Sequence, residues 1–149
     1  MKLYYAPQAC SLAPHIVLRE LKLPFVLIRV DNRSKRTASG EDFLAINPKG
    51  YVAALQLDNG AVLTEGPVIL QYLADLQPQS GLAPAPGSFE RLRLQEWLNF
   101  ISSEIHGGLG ALFDERLPAE VIKEKLFKRF AVLVAVLEQQ EYLLPSGFS

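Results

Sequence analysis

The chain contains a single cysteine, Cys10, placed where a strand-like segment gives way to a helical one. Residues 1–5 predict a short strand with β-favouring tyrosines, and a helix is predicted from Ser11 onward. A thiol at a helix start lies at the positive end of the helix dipole, which favours the thiolate. With no second cysteine to form an internal disulfide, Cys10 is a candidate for thiol chemistry. The alternative is an inert buried cysteine, which is common for this residue type.

A second candidate site is Glu65-Gly66, directly before the helix that Pro67 is suited to begin. A carboxylate beside the free N–H groups of a helix N-terminus can hold a zwitterion. Glu65 would bind its ammonium group, and the helix amides would bind its carboxylate. An ordinary helix start with a solvated glutamate is the alternative.

A third group of polar residues lies on the long helix predicted after Ser88. Asn99, Ser103 and His106 follow the spacing i, i+4, i+7, and Glu104 is adjacent. An imidazole there could hydrogen-bond a thiolate or carry a proton near neutral pH. A solvated polar face is the alternative.

Composition excludes several classes of protein. The 149 residues are 49% hydrophobic and 21% charged, which is typical of a globular chain. The net charge of −1 argues against nucleic acid or an anionic membrane as the main partner. No apolar run is long enough to span a bilayer. One cysteine and no exporting segment predict a cytoplasmic protein.

The elements predicted from periodicity divide the chain into two domains. The first, residues 1–77, has the order βαβ-α-ββα, with Asn59-Gly60 as the turn of a hairpin. Residues 78–87 are rich in proline and form a linker. Residues 88–149 are predicted to be wholly helical, with Ser88 as an N-cap and a second helix starting near Pro118. Gly147-Phe148-Ser149 has the pattern of a further helix start.

The chain carries an ordered set of segments at a spacing that resembles the bacterial beta-class glutathione S-transferases. These segments are Tyr5, Cys10-Ser11, Lys35, residues 39–43, residues 46–50, residues 63–66, residues 69–75, residues 96–100 and residues 103–106. The resemblance implies a thioredoxin-like N-terminal domain with a mixed sheet and an all-helical C-terminal domain. It also implies that the C-terminal domain is incomplete here, which would leave apolar side chains between residues 130 and 137 exposed.

The same resemblance implies a function. It implies conjugation of the glutathione thiolate to small apolar electrophiles by a homodimer, with glutathione as co-substrate and no metal. Two alternatives stay open. One is thiol transfer or peroxide reduction through a mixed disulfide of Cys10. The other is a catalytically impaired glutathione-binding module.

The site residues implied by the resemblance include Cys10 and His106 as catalytic groups. Lys35 would pair with the glycyl carboxylate, and the backbone of Val52 would pair with the peptide-like middle of glutathione. The full glutathione-binding set is Tyr5, Cys10, Ser11, Lys35, Val52, Glu65, Gly66, Asn99, Ser103, Glu104 and His106. Family members have a cis-proline after the position of Val52, whereas this chain has Ala53. Because a cis bond before a residue other than proline costs about 3 kcal/mol, a trans peptide is favoured here.

Overall fold

The computed structural model describes residues 1–148, which divide into two compact units, Met1–Ser80 and the chain from Gly81 onward. The first unit has five strands, three helices and a short 3₁₀ turn. The strands are β1 (Lys2–Tyr5), β2 (Val26–Asp31), β3 (Arg36–Thr37), β4 (Ala54–Gln56) and β5 (Val62–Thr64). The helices are α1 (Leu12–Glu20), α2 (Phe43–Ile46) and α3 (Gly66–Asp75), and the 3₁₀ turn is Pro78–Ser80.

The five strands form one mixed sheet in the order β3-β2-β1-β4-β5. β1 and β2 are parallel, whereas β1 with β4 and β4 with β5 are antiparallel. This arrangement confirms the predicted thioredoxin-like domain. The two-residue strand β3, which pairs antiparallel with β2, is an addition to the predicted order βαβ-α-ββα.

Both faces of the sheet carry buried side chains, and one of them packs against α2. Tyr4 and Ala54 are register partners, and the Tyr4 ring lies 5.6 Å from the ring of Phe43 in α2. Because side chains alternate along a strand, the neighbouring partners Leu3 and Leu55 face the opposite side. Both are fully buried, and α1 and α3 contact one another within this unit.

In its described residues the second unit has helices joined by turns and irregular segments, and the α-helices are α4 (Phe89–Phe100), α5 (Gly107–Ala111) and α6 (Ala119–Leu137). The predicted N-cap is confirmed, because the Ser88 hydroxyl accepts a hydrogen bond from the Arg91 N–H. Between α4 and α5 lies a π-helical segment, Ile101–His106, which periodicity did not predict. There the Gly107 N–H donates to the Ser102 oxygen, five residues back.

α5 and α6 approach one another closely at one glycine, and part of the apolar surface of α6 is exposed. A Cβ added to Gly108 would lie 2.7 Å from Cδ2 of Leu126, a buried residue of α6, so the glycine permits close approach of the two helices. The expected exposure of apolar side chains between residues 130 and 137 is observed at Val132, Val134 and Leu137. The predicted helix start at 147–149 extends outside the described residues.

No helix within residues 1–148 combines the length and apolar character needed to cross a membrane.

Candidate functional site

Three strand ends meet at one end of the sheet in the first unit. In the register, Ala54 of β4 lies between Tyr4 of β1 and Thr64 of β5. β1 and β5 end there, and the antiparallel β4 begins there. The residues that flank these positions are Tyr5, Ala53 and Glu65, so the sheet register places the predicted site residues Tyr5, Val52 and Glu65 at the same end.

Cys10 lies at this end of the sheet, in the turn between β1 and α1. Its thiol is exposed, and Sγ donates a hydrogen bond to the carbonyl oxygen of Val52, 3.3 Å away. The structure therefore brings together two of the predicted site residues. The sulfur contacts a carbonyl oxygen, and the expected influence of the start of α1 on this thiol stays a prediction. The N–H groups of Leu12 and Ala13 donate to the backbone oxygens of Ala9 and Cys10.

Ser11 and the tyrosines of β1 occupy different environments. The Ser11 side chain is buried, and its hydroxyl both donates to the Ala6 oxygen and accepts from the Ala6 N–H. It thus holds the turn that presents Cys10, and its role as a ligand stays a prediction. Tyr5 is half-buried, whereas Tyr4 is buried and donates its hydroxyl hydrogen bond to Gln56. Burial, with a smaller contribution from the Glu41 charge, raises the pKa of Tyr4, which keeps its phenol neutral.

The segment leading into β4 presents its backbone beside Cys10. The Asn47 side-chain amide donates to the Tyr51 oxygen across 2.8 Å, and the Val52 side chain is buried in the core shared with Phe43. The Val52–Ala53 peptide is cis, the less favoured of the two forms that the sequence left open. The segment is therefore held by the Val52 side chain and by hydrogen bonds to the Tyr51 and Val52 oxygens, and pairing of its backbone with a ligand stays a prediction.

Lys35 lies next to the same segment. Its ammonium group donates to the Gly50 oxygen across 2.9 Å and lies 5.5 Å from the centre of the Tyr51 ring. The Lys35 ammonium group therefore lies beside Gly50, two residues before Val52. The carboxylate of a ligand extended along this segment could meet it there. The predicted pairing with a glycyl carboxylate stays a prediction.

Glu65 forms an ion pair with a residue that sequence reasoning did not single out. Its Oε1 atom lies 2.7 Å from Nζ of Lys49, which also donates to the Thr64 hydroxyl across 3.1 Å. In the sequence, Lys49 stands out only as a member of the matched segment 46–50. The predicted hairpin with Asn59-Gly60 could have indicated the pair, since it brings Glu65, directly after the second strand, towards the segment that precedes the first strand.

Three of the four predicted site residues in the second unit line one of two cavities. Asn99 lines a cavity of about 520 Å³ together with Trp97 and Phe100. Ser103 and Glu104 line a different cavity, of about 400 Å³, between α5 and α6. Glu104 also accepts a hydrogen bond from Arg129 across 2.6 Å.

The π-helical segment Ile101–His106 changes the directions in which side chains of this polar group leave the helix axis. Ser103 donates its hydroxyl hydrogen bond to the Asn99 oxygen, and His106 is exposed at the end of the segment. A π-helical turn shifts each following side chain around the helix axis relative to an α-helix, and such turns are frequent at functional sites. The α-helical spacing on which the shared face was predicted therefore does not hold through residues 101–106, and the role of this face stays a prediction.

Among residues 1–148, no three His, Cys, Asp or Glu side chains cluster in a way that could hold a metal ion.

Comparison with known proteins identifies relatives along the whole chain. The family model described as glutathione S-transferase, N-terminal domain, matches residues 9–76. The chain is 42% identical over 152 aligned positions to glutathione S-transferase GstA of Escherichia coli O157:H7, covering 100% of this chain and 76% of that protein.

Two solved structures have the same fold. One is a sphingomonad glutathione S-transferase complexed with glutathione, with a TM-score of 0.94 and 45% identity. The other is a bacterial beta-class glutathione S-transferase from Sphingomonas chungbukensis, with a TM-score of 0.94 and 41% identity. Each alignment covers 100% of this chain and 76% of the solved chain.

Proposed function

Since the chain belongs to the glutathione S-transferase family and resembles its bacterial beta class, we propose that it conjugates glutathione to small apolar electrophiles. In this reaction the glutathione thiol gives up its proton. Its sulfur then forms a bond to an electrophilic carbon, and the leaving group departs with the bonding electron pair. The protein accelerates the reaction by holding the tripeptide so that its sulfur is ionised and correctly placed.

The observation that carries this proposal is the convergence of three groups at one end of the sheet. The Cys10–Val52 contact and the register of Ala54 with Thr64 bring a thiol, a backbone segment and the Glu65 carboxylate to that end. We assign the γ-glutamyl ammonium group to Glu65 and the γ-glutamyl carboxylate to the Gly66 N–H. The peptide groups of the ligand pair with the backbone of Val52, and its glycyl carboxylate pairs with Lys35.

Cys10 is assigned a contact with the glutathione sulfur rather than the role of nucleophile. Its thiol is exposed and already donates to the Val52 oxygen, so a ligand sulfur placed over Val52 would meet it. Tyr5 and Ser11 complete this part of the proposed site. His106 is proposed to hold a proton for the reaction, with Asn99, Ser103 and Glu104 as further glutathione contacts.

Two further parts of the proposal concern the oligomeric state and the cellular location of the enzyme. We propose a homodimer and a cytoplasmic location, as the family resemblance implies. Sedimentation equilibrium tests the first, with twice the chain mass expected. Fractionation of the source cells tests the second.

The proposed glutathione site is tested by calorimetric titration of the protein with glutathione. Glu65→Gln should weaken binding about ten- to hundredfold, because a charge-assisted hydrogen bond to the ligand ammonium is lost. Glu20→Gln, at the exposed end of α1, is the matched control and should bind as the unaltered protein does. Absence of glutathione binding by the unaltered protein, or equal binding by Glu65→Gln, would contradict the assignment.

Conjugating activity is then measured with an activated chloronitrobenzene as the electrophile. The proposal predicts chloride release that requires both protein and glutathione. A protein that binds glutathione but never accelerates chloride release from this or other apolar electrophiles would not be a conjugating enzyme.

A further inference from the structure

Lys49 is fixed by two consecutive residues at the proposed glutathione site. Its ammonium group lies 2.7 Å from Oε1 of Glu65 and 3.1 Å from the Thr64 hydroxyl. The Lys49 and Glu65 side chains are 57% and 59% exposed. Exposed ion pairs contribute little to stability, so the main consequence of this pair is where the Glu65 carboxylate lies.

That carboxylate lies directly before α3 without capping it. Glu65 has a backbone φ of 68°, and its side chain accepts no hydrogen bond from the amides of α3. The first-turn N–H groups of Val68 and Ile69 donate to the Glu65 backbone oxygen, and Pro67 has no N–H. Within residues 1–148 the Gly66 N–H is left as the amide of this turn that can meet an anion.

A free carboxylate this close to a helix N-terminus is attracted to it by the helix dipole. If Glu65 turned back onto α3, one negative side chain would occupy the amide that a ligand carboxylate needs, and it would no longer face a ligand ammonium. The ion pair with Lys49 opposes this rearrangement. It holds Oε1, whereas Oε2 has no partner among the described residues.

We propose that Lys49 is a positioning residue for glutathione binding, which holds the Glu65 carboxylate away from the N-terminus of α3. Glu65 and the Gly66 N–H then remain two separate sites, one for the ammonium group and one for the carboxylate of the γ-glutamyl group. This inference rests on the proposed function. Lys35 cannot replace Lys49 in this role, because its ammonium group is bound to the Gly50 oxygen.

The test is a double-mutant cycle measured by calorimetric titration with glutathione. Lys49→Met removes the charge and keeps an unbranched side chain of similar length. With Glu65 present, it should weaken glutathione binding about tenfold. With Glu65→Gln present, which has no carboxylate to hold, the same change should weaken binding less than about twofold.

Two controls separate positioning from general effects. Lys49→Arg keeps the charge and should bind glutathione like the unaltered protein. Lys2→Met removes an exposed lysine from the start of β1, the end of that strand remote from the site, and should also leave binding unchanged. The thermal unfolding midpoint of Lys49→Met should match that of the unaltered protein.

If the Glu65→Gln proteins bind glutathione too weakly for calorimetric titration, an NMR measurement on the ligand-free protein tests the same inference. In the ligand-free protein, the Gly66 amide resonance should respond to titration of the Glu65 carboxylate more strongly in Lys49→Met than in the unaltered protein, since the carboxylate then turns toward it. An equal response in the two proteins would overturn the inference.

The remaining outcomes are also decisive. If the unaltered protein binds no glutathione, the proposed function fails and the inference fails with it. If the unaltered protein binds glutathione and Lys49→Met binds equally or more tightly, only the inference about Lys49 fails. Equal weakening with and without the Glu65 carboxylate would assign Lys49 a role independent of Glu65 and would also overturn it.

Discussion

Cys10 and Val52, 42 positions apart in the chain, are joined by a hydrogen bond in which the thiol donates to the carbonyl oxygen across 3.3 Å. The contact therefore places the sulfur where a ligand over Val52 would meet it and suits a group that positions the ligand.

The first prediction follows from this contact. Cys10→Ala should keep conjugating activity within about tenfold of the unaltered protein in kcat/KM, because the attacking sulfur belongs to glutathione. Chloride release from the activated chloronitrobenzene measures this. Exchange of a disulfide through Cys10 would be abolished by the same change. Loss of conjugation by a thousandfold or more would instead make Cys10 the reacting group.

The second prediction concerns the glycines of α5. Gly108→Ala should be destabilising relative to Gly110→Ala by about 1–3 kcal/mol, because the added methyl group would meet the buried Leu126 side chain. A Cβ at Gly110 meets no atom within 4 Å, so Gly110→Ala should stabilise the helix by up to about 1 kcal/mol.

Urea unfolding of the two variants measures the difference. The two glycines lie on one short helix and differ in what a Cβ would contact, which makes Gly110→Ala the matched control. Equal stability of the two variants would show that Leu126 moves aside without cost.

The third prediction concerns Asp31 at the end of β2. Hydrogen bonds from the Ser34 N–H and hydroxyl, followed by the Arg33 N–H, lower the pKa of Asp31 below its ordinary value of 3.8. A carboxyl group whose pKa is lower in the folded state stabilises the fold above its unfolded pKa, and this stabilisation is lost as the pH falls through the folded value.

Asp31→Asn should therefore unfold more easily than the unaltered protein at pH 7. The difference should shrink as the pH falls from about 5 to below the lowered pKa. Urea unfolding at a series of pH values tests this. Glu20→Gln, at the exposed end of α1, is the comparison. A difference that stays constant with pH would contradict the assigned cause.

The sequence predicted most of the first unit because its elements carry strong local signals. The hairpin with Asn59-Gly60 and the helix that begins at Glu65-Gly66-Pro67 lie within a few residues of their predicted positions. β3 was missed because it has only two polar residues, Arg36 and Thr37, and forms only by pairing with β2. This strand is determined by its pairing with β2 and not by a local pattern of hydrophobic residues.

The candidate site was predicted less completely, for a related reason. Residue types and spacing indicated Cys10 and Glu65, but the carbonyl that accepts from Cys10 and the lysine that pairs with Glu65 lie far away in sequence. The π-helical segment Ile101–His106 was also missed, because its side chains fit an α-helical pattern and the difference is one of backbone hydrogen bonding.

The central claim is that glutathione lies along Val52 with its γ-glutamyl group at Glu65 and Gly66. The most direct measurement is a titration of the ¹⁵N-labelled protein with glutathione, followed by the backbone amide resonances. The amides of Val52 and Gly66 should shift together with one saturation curve, whereas those of Arg36 and Thr37 in β3 should stay in place. Unchanged Val52 and Gly66 resonances at saturating glutathione would contradict the account.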